Sequence, residues 1–202
     1  MFIAAHPLIL ASGSPRRKDL LRQAGLTFQI LPATVDELPH PSERPKDFAE
    51  RMATEKTLQI AAIHPEACVL GADTVVTLSR RILGKPRDKA HALAMLKNLQ
   101  GQTHTVITGF TLMMKNHAMF EAGTVATAVT FGTFAEPILE SYVQTGEPMD
   151  KAGAYAIQGA GGFLIHKICG SYSNVVGLPM LPIIQILLKW NCIHPDQSPS
   201  HP

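Results

Sequence analysis

Short apolar runs alternate with helical stripes along this 202-residue chain, and some of the runs are separated by only a few residues. A helix between two strands lets them run parallel, whereas a short turn makes them antiparallel. A chain with both kinds of join is expected to fold as α/β around a mixed sheet, not a purely parallel one. The runs fall at 8–11, 28–31, 68–78, 82–83, 106–114, 124–131 and 163–168. Helices are expected at 15–24, 45–63, 89–99, 136–143 and 181–190. Their punctuation is legible: Ser14 before Pro15, Gly25 after the first helix, Asp88 as a cap, and Gly101 and Gly146 as stops.

The second helix has an anomaly. Its apolar stripe is Ala49, Ala53, Lys56, Ile60 and Ile63, so a lysine stands where the helix should be buried. The strand at 68–78 has the matching one, because Asp73 interrupts Val69-Leu70-Gly71-Ala72 and Thr74-Val75-Val76. A charge set among sheet residues is costly unless it is paired or holds a metal. Read alone, Lys56 and Asp73 also fit a structural ion pair.

Three other segments carry candidate chemistry. In Ser12-Gly13-Ser14-Pro15-Arg16-Arg17 a strand meets a small-residue loop that opens a helix. Free backbone N–H groups there suit an anion, and two arginines in a first helical turn oppose the helix dipole unless an anion docks beside them, although a capped helix with solvated basic residues fits the segment equally. Gly84-Lys85-Pro86 places a point charge in a short rigid loop, although a single loop lysine also fits plain solvent exposure. The stretch 150–162 is rich in Gly and Ala and contains Gln158, whose amide has a donor and an acceptor for a base edge, although a tight surface turn fits the same residues. Carboxylates at Asp36, Glu37, Glu55 and Asp73 supply the hard oxygen ligands a divalent cation prefers.

Several classes lose support. There is no G-x-x-x-x-G-K-[ST] loop, no G-x-G-x-x-G after a strand, no H-E-x-x-H and no G-x-S-x-G. His64, His104 and His166 read as polar fillers rather than ligands. A net charge of +2 implies no broad field for nucleic acid. Cys68, Cys169 and Cys192 are odd in number and form no C-x-x-C, which argues against a disulfide framework or zinc and suits a reducing, cytoplasmic setting. No apolar run reaches the roughly 18 residues of a membrane span. Residues 1–11 lack the Lys/Arg of a secretory leader and read as a lead-in to the first strand. The length fits one domain, or two lobes sharing one core.

Taken in order, these segments resemble the Maf family of nucleoside triphosphate pyrophosphatases. The matching residues are 12–17 with Leu20-Leu21, Val35-Asp36-Glu37, Glu55-Lys56, 71–76, Gly84-Lys85-Pro86, Gly101-Gln102-Thr103-His104, 150–159 and Gly177-Leu178-Pro179. The resemblance implies one catalytic domain over 1–190, with two lobes and a central cleft, similar to inosine triphosphate pyrophosphatases. Residues 191–202 then form a polar tail, expected to be disordered. It implies that water attacks the α-phosphorus of a nucleoside triphosphate, releasing pyrophosphate, with Mg²⁺ or Mn²⁺ required. By the same resemblance Asp73 is the proton acceptor, and Ser12, Arg16, Lys56 and Lys85 bind phosphate. Glu37 is a metal or water-positioning carboxylate, with Asp73 the second metal ligand. Arg17, Thr74 and Gln158 match the positions associated with the dTTP- and UTP-cleaving branch, as does Asp150-Lys151-Ala152-Gly153; the 7-methyl-GTP branch differs there. Gln100, where a Ser is common, departs from the pattern. A house-cleaning role on unwanted or modified nucleotides and a homodimer are also implied, with no nucleic-acid or membrane partner. The family's association with septum formation supplies an alternative, a nucleotide-binding regulator of cell division with little turnover. A carboxylate base beside a bound triphosphate favours the enzyme, because a pure binder gains nothing from that repulsion.

Overall fold

The structure, a computed structural model, describes residues 1–196. Its strands are β1 (Phe2–Ala4), β2 (Leu8–Leu10), β3 (Gln29–Ile30), β4 (Cys68–Leu78), β5 (Arg81–Leu83), β6 (Thr103–Met114), β7 (Met119–Phe131), β8 (Ile165–Cys169) and β9 (Ile193–Pro195). Its helices are α1 (Pro15–Gln23), α2 (Pro45–Ile63), α3 (Lys89–Leu99), α4 (Glu136–Gln144), α5 (Tyr172–Val176) and α6 (Met180–Lys189). Seven strands form one mixed sheet in the order β3-β2-β4-β6-β7-β8, with β5 paired to β4. The two ways of joining strands are visible in it. β2 is parallel to β3 and β4, across α1 and α2, whereas β4, β6, β7 and β8 pair antiparallel.

Two apolar clusters sit on the same long strands. Leu70, Ala72, Phe110 and Leu112 face a cluster completed by Leu10, Leu21, Ile183 and Leu187. Val76 and Val106, farther along β4 and β6, belong to a second cluster with Leu96, Leu99, Leu139 and Tyr155. These are the two lobes, joined by a continuous sheet rather than a linker. Helix α2 covers another part of the sheet at backbone contact. A Cβ on Gly71 would lie 2.3 Å from Thr57 Oγ1, and one on Gly109 would lie 2.2 Å from the Ala49 carbonyl oxygen. Glycines on the strands and Ala49 and Ala53 on the helix therefore set how closely α2 approaches, and so where Lys56 points.

The structure alters several expectations. Ile63, assigned to the buried stripe, is 68% exposed, at the last residue of α2. Ser14 is the N-cap of α1 but makes no side-chain cap bond; its own N–H instead donates to Ser12 Oγ. The strand expected from 163 begins only at Ile165, since Ala160–Leu164 closes into a 3₁₀ turn. Helix α5, capped by Ser171, was not anticipated; it holds five residues, too few for a periodic stripe. The chain does not fall into disorder after Trp190: β9 pairs antiparallel with β1, Phe2 opposite Pro195 and Ala4 opposite Ile193. Two short segments without an alternating pattern find each other only in three dimensions. The remainder of the expected tail, 197–202, lies outside the described residues. Among the described residues no helix is long and apolar enough to cross a membrane.

Candidate active site

The site originates in an unpaired stretch of one strand edge. β6 covers one edge of β4 from Val69 to Thr77. On the other edge β2 covers Cys68 to Leu70, and β5 covers Val76 to Leu78. Between them, residues 71–75 have no strand partner on that side. A cavity of about 650 Å³ opens there, in the size range of small-molecule sites (roughly 300–1,000 Å³). Because successive strand residues point to opposite faces, Asp73 and Thr74 flank the gap from two sides. Both line the cavity, with Ser12, Arg16, Arg17, Glu37, Lys56, Lys85 and Gln158, so each residue to which the family resemblance gives a role is on one wall or another.

On the Asp73 side stands a three-membered ion cluster. Lys56 Nζ lies 2.7 Å from Asp73 Oδ1 and 2.5 Å from Glu37 Oε1. The lysine is buried at 8% side-chain exposure and the aspartate at 13%, while Glu37 reaches in from the 36–44 loop at 55%. Burial works against ionising Glu37, but the hydrogen bond and charge of Lys56, helped by Lys85 and Arg17, outweigh it and hold its pKa below the usual carboxylate value. Asp36 and Glu55, which the sequence grouped with these residues, do not line the cavity. Glu55 instead pairs with Arg51 at 2.9 Å, and Arg51 also binds Glu43 and the Leu38 carbonyl, tying down the loop that carries Glu37.

On the Thr74 side the central group is Arg17. Its Nε donates to the Gly177 carbonyl at 2.9 Å, Nη1 to the Ala72 carbonyl at 2.8 Å and Ser12 Oγ at 3.0 Å, and Nη2 to Thr74 Oγ1 at 3.1 Å. The Ala72 carbonyl is one of the groups the missing strand partner leaves open, so the guanidinium completes the sheet edge. A guanidinium has five N–H groups; four are taken here, and one remains for a ligand. Burial lowers the Arg17 pKa, opposed by the Asp73 charge, but a guanidinium stays charged regardless. Thr74 Oγ1 is also 2.9 Å from Thr108 Oγ1, which donates to the Asn174 carbonyl, so the wall is braced through α5. Arg16, one residue away on α1, lines the cavity half-buried, and its side chain makes no hydrogen bond among the described residues. Neighbouring arginines thus differ: one is held by the protein and the other is open.

The far end of the cavity is formed by residues of 150–159, Tyr155 among them, as the sequence expected of its small-residue stretch, together with Glu147. Gln158 lies half-exposed there, with an amide that makes no hydrogen bond among the described residues. Tyr155 Oη is 2.6 Å from His104 Nε2, and His104 is buried at 2% exposure. That histidine is a polar filler, as expected, and burial lowers its pKa to about 4. Glu147 was missed. Its only sequence signal is a position after Gly146, where a helix stops, and two of its three side-chain partners are thirteen and fourteen residues away.

Comparison with known proteins agrees with this geometry. The family of Maf-like proteins matches residues 7–190. The chain belongs to the Maf family. Among its relatives, a Desulfotalea psychrophila protein is 47% identical over 96% of this chain and 99% of its own length. One from Myxococcus xanthus is 47% identical over 89% of this chain and 90% of its own, and one from Escherichia coli O157:H7 is 44% identical over 92% and 94%. Each of these three relatives is named dTTP/UTP pyrophosphatase. The Maf match includes every residue placed around the cavity and leaves out β1 and β9.

Proposed function

We propose that this chain hydrolyses dTTP and UTP to the nucleoside monophosphate and pyrophosphate. The observation that carries the reading is the ion cluster of Glu37, Lys56 and Asp73 beside a helix N-terminus and two further open cations, Arg16 and Lys85. Relatives of that name, similar over almost the whole chain, support the substrate class. The regulator without turnover is not favoured: a binder of triphosphates is weakened by two carboxylates aimed into its site.

Two carboxylates with hard oxygens fit Mg²⁺ or Mn²⁺. Glu37 and Asp73 each present an oxygen to the same ammonium, so the two carboxylates flank one point of the cavity wall. Among the described residues no third His, Cys, Asp or Glu joins them. That number suits a small cation completing its shell with substrate phosphates and water, rather than an all-protein cage. When bound, such an ion offsets phosphate charge and polarises the reacting phosphoryl group.

The chain's own residues supply the rest. The N–H groups at the start of α1, with Ser12 and Arg16, hold the phosphates at the helix's positive end. Asp73 takes the proton from the attacking water as it bonds to the α-phosphorus. The bond from that phosphorus to the bridging oxygen breaks, and its electrons leave with pyrophosphate. Lys56 and Lys85 meet the charge developing on that leaving group. Thr74, held by Arg17, fixes the nucleotide so that its base reaches Gln158. A uracil or thymine edge presents carbonyl acceptors and an N3–H donor, to which one amide can pair both ways. Cytosine inverts two of those atoms and leaves groups unpaired.

The test is kcat/KM for dTTP, UTP, CTP and GTP with Mg²⁺, reading pyrophosphate release, in wild type and Gln158→Ala. The expected result is pyrophosphate as first polyphosphate product, loss of activity in EDTA, and a preference for dTTP and UTP that shrinks by roughly tenfold or more in the variant. Orthophosphate first, full activity in EDTA, or a wild-type preference for GTP would overturn the reading. A uniform fall across the four nucleotides in the variant would remove base reading from Gln158.

A further inference from the structure

We propose that Glu147 is a specificity-determining positioning residue, acting through Gln158, which it does by clamping both flanks of the loop that presents that amide. The proposal rests on the reading of Gln158 as the group that meets the base.

The Glu147 carboxylate accepts three hydrogen bonds, from the Ala160 and Gly161 N–H groups and from Tyr142 Oη, each at 2.9 Å. Tyr142 Oη in turn accepts from the Ala156 N–H at 3.2 Å. The loop 156–161 is therefore fixed at its start through Tyr142 and at its end by Glu147, with Gln158 between the anchors. None of its three anchoring N–H groups is satisfied by a strand or helix ladder, so the phenol and carboxylate stand in for secondary structure. A carboxylate is the group for this, because its two oxygens together can take several donors at once.

The backbone is shaped to the same carboxylate. Gly159, next to Gln158, has φ +97°, and a Cβ there would lie 2.5 Å from Glu147 Oε2. A Cβ on Gly161 would lie 2.4 Å from Tyr142 Oη. Both glycines let the main chain close on the clamp. Burial opposes ionisation of Glu147, but the two N–H groups, Tyr142 and the Lys151 charge outweigh it and hold the carboxylate ionised. Glu147 also lines the cavity, so the clamp and the amide it orients belong to one wall. A loop held at both ends keeps the Gln158 amide in one orientation, and discrimination between base edges depends on orientation more than on contact.

The test is a double-mutant cycle read as selectivity, the ratio of kcat/KM for dTTP to that for CTP. Glu147→Gln keeps the shape but cannot accept all three donors, one of its positions now being an NH₂. We expect it to lower the ratio by about fivefold or more in the wild-type background and to leave it unchanged in the Gln158→Ala background. Tyr142→Phe, which keeps the packing but removes one donor to Glu147 and the Ala156 acceptor, should lower the ratio in the same way by a smaller factor, and it serves if Glu147→Gln does not fold. Equal losses on dTTP and CTP in either variant, or a selectivity loss that persists in full without Gln158, would overturn the clamp while leaving base reading intact. An unchanged ratio in Gln158→Ala alone would overturn base reading, and the clamp's role in specificity with it.

Discussion

The two ends of the cavity are built by different means. At the phosphate end Ser12, Glu37 and Lys85 come from loops, but the central side chains project from regular elements: Asp73 and Thr74 from β4, Lys56 from α2, Arg16 and Arg17 from α1. Their positions are fixed by sheet register and by the glycine–alanine contact that seats α2. At the base end, the loop 156–161 has no ladder, and side chains hold the backbone instead of the backbone holding side chains. The difference follows from the task. Groups placed for chemistry must sit to within a fraction of an ångström and must not relax, and Asp73 and Lys56, the ion pair at the centre of that end, stand on rigid elements. A base-reading surface has to distinguish partners by a few hydrogen bonds, and a short clamped loop suffices. It follows that damage at the phosphate end should appear in turnover for every nucleotide, whereas damage at the base end should appear in the ratios between nucleotides.

The largest break in that comparison is expected from Asp73→Asn. The change keeps the shape on β4 and removes the base and its charge. Loss of a general base costs on the order of 10²–10⁴-fold, so kcat should fall by that factor on dTTP and CTP alike, with nucleotide binding retained. A variant that keeps near-normal kcat, or that loses dTTP activity selectively, removes Asp73 from the role given to it.

A smaller effect should sharpen the other end. His104 holds the Tyr155 hydroxyl and is kept neutral by burial, with a pKa of about 4 against an ordinary 6.5. Between those values the unfolded chain takes up a proton that the folded chain refuses. The unfolded state therefore binds more protons, and stability falls as pH is lowered from about 6.5 towards 4. At full extent this amounts to about 3 kcal/mol. Urea unfolding at pH 7 and pH 4.5 should show wild type losing about 2–3 kcal/mol more than His104→Phe, which has no proton to take up. Equal losses in the two proteins would mean that His104 does not carry this dependence.

The phosphate end was largely legible in the sequence because its anomalies are local. A lysine in an apolar helical stripe, an aspartate in an apolar strand and arginines at the wrong end of a helix dipole each violate a pattern that neighbouring residues establish. The structure brings Lys56 and Asp73 together as those violations implied. What could not be read there is the division of labour between Arg16 and Arg17, since it depends on β2 ending at Leu10 and leaving the Ala72 carbonyl open to the guanidinium. The base end was legible only as composition. Its Gly and Ala residues announced a close backbone approach, but not to what, because the acceptor is Glu147 across a turn with no periodicity. The β1–β9 ribbon was hidden for a related reason: its pairing joins the two extremes of the described chain, and no local pattern records a partner some 190 residues away.

The central claim is that water attacks the α-phosphorus at the Asp73 end of the cavity while the base is held at the other. Hydrolysis of dTTP in ¹⁸O-enriched water with Mg²⁺, followed by mass spectrometry of both products, tests it most directly. The account predicts that the label appears in the nucleoside monophosphate and that pyrophosphate is unlabelled. Label in pyrophosphate, or release of labelled orthophosphate with a nucleoside diphosphate, would contradict it.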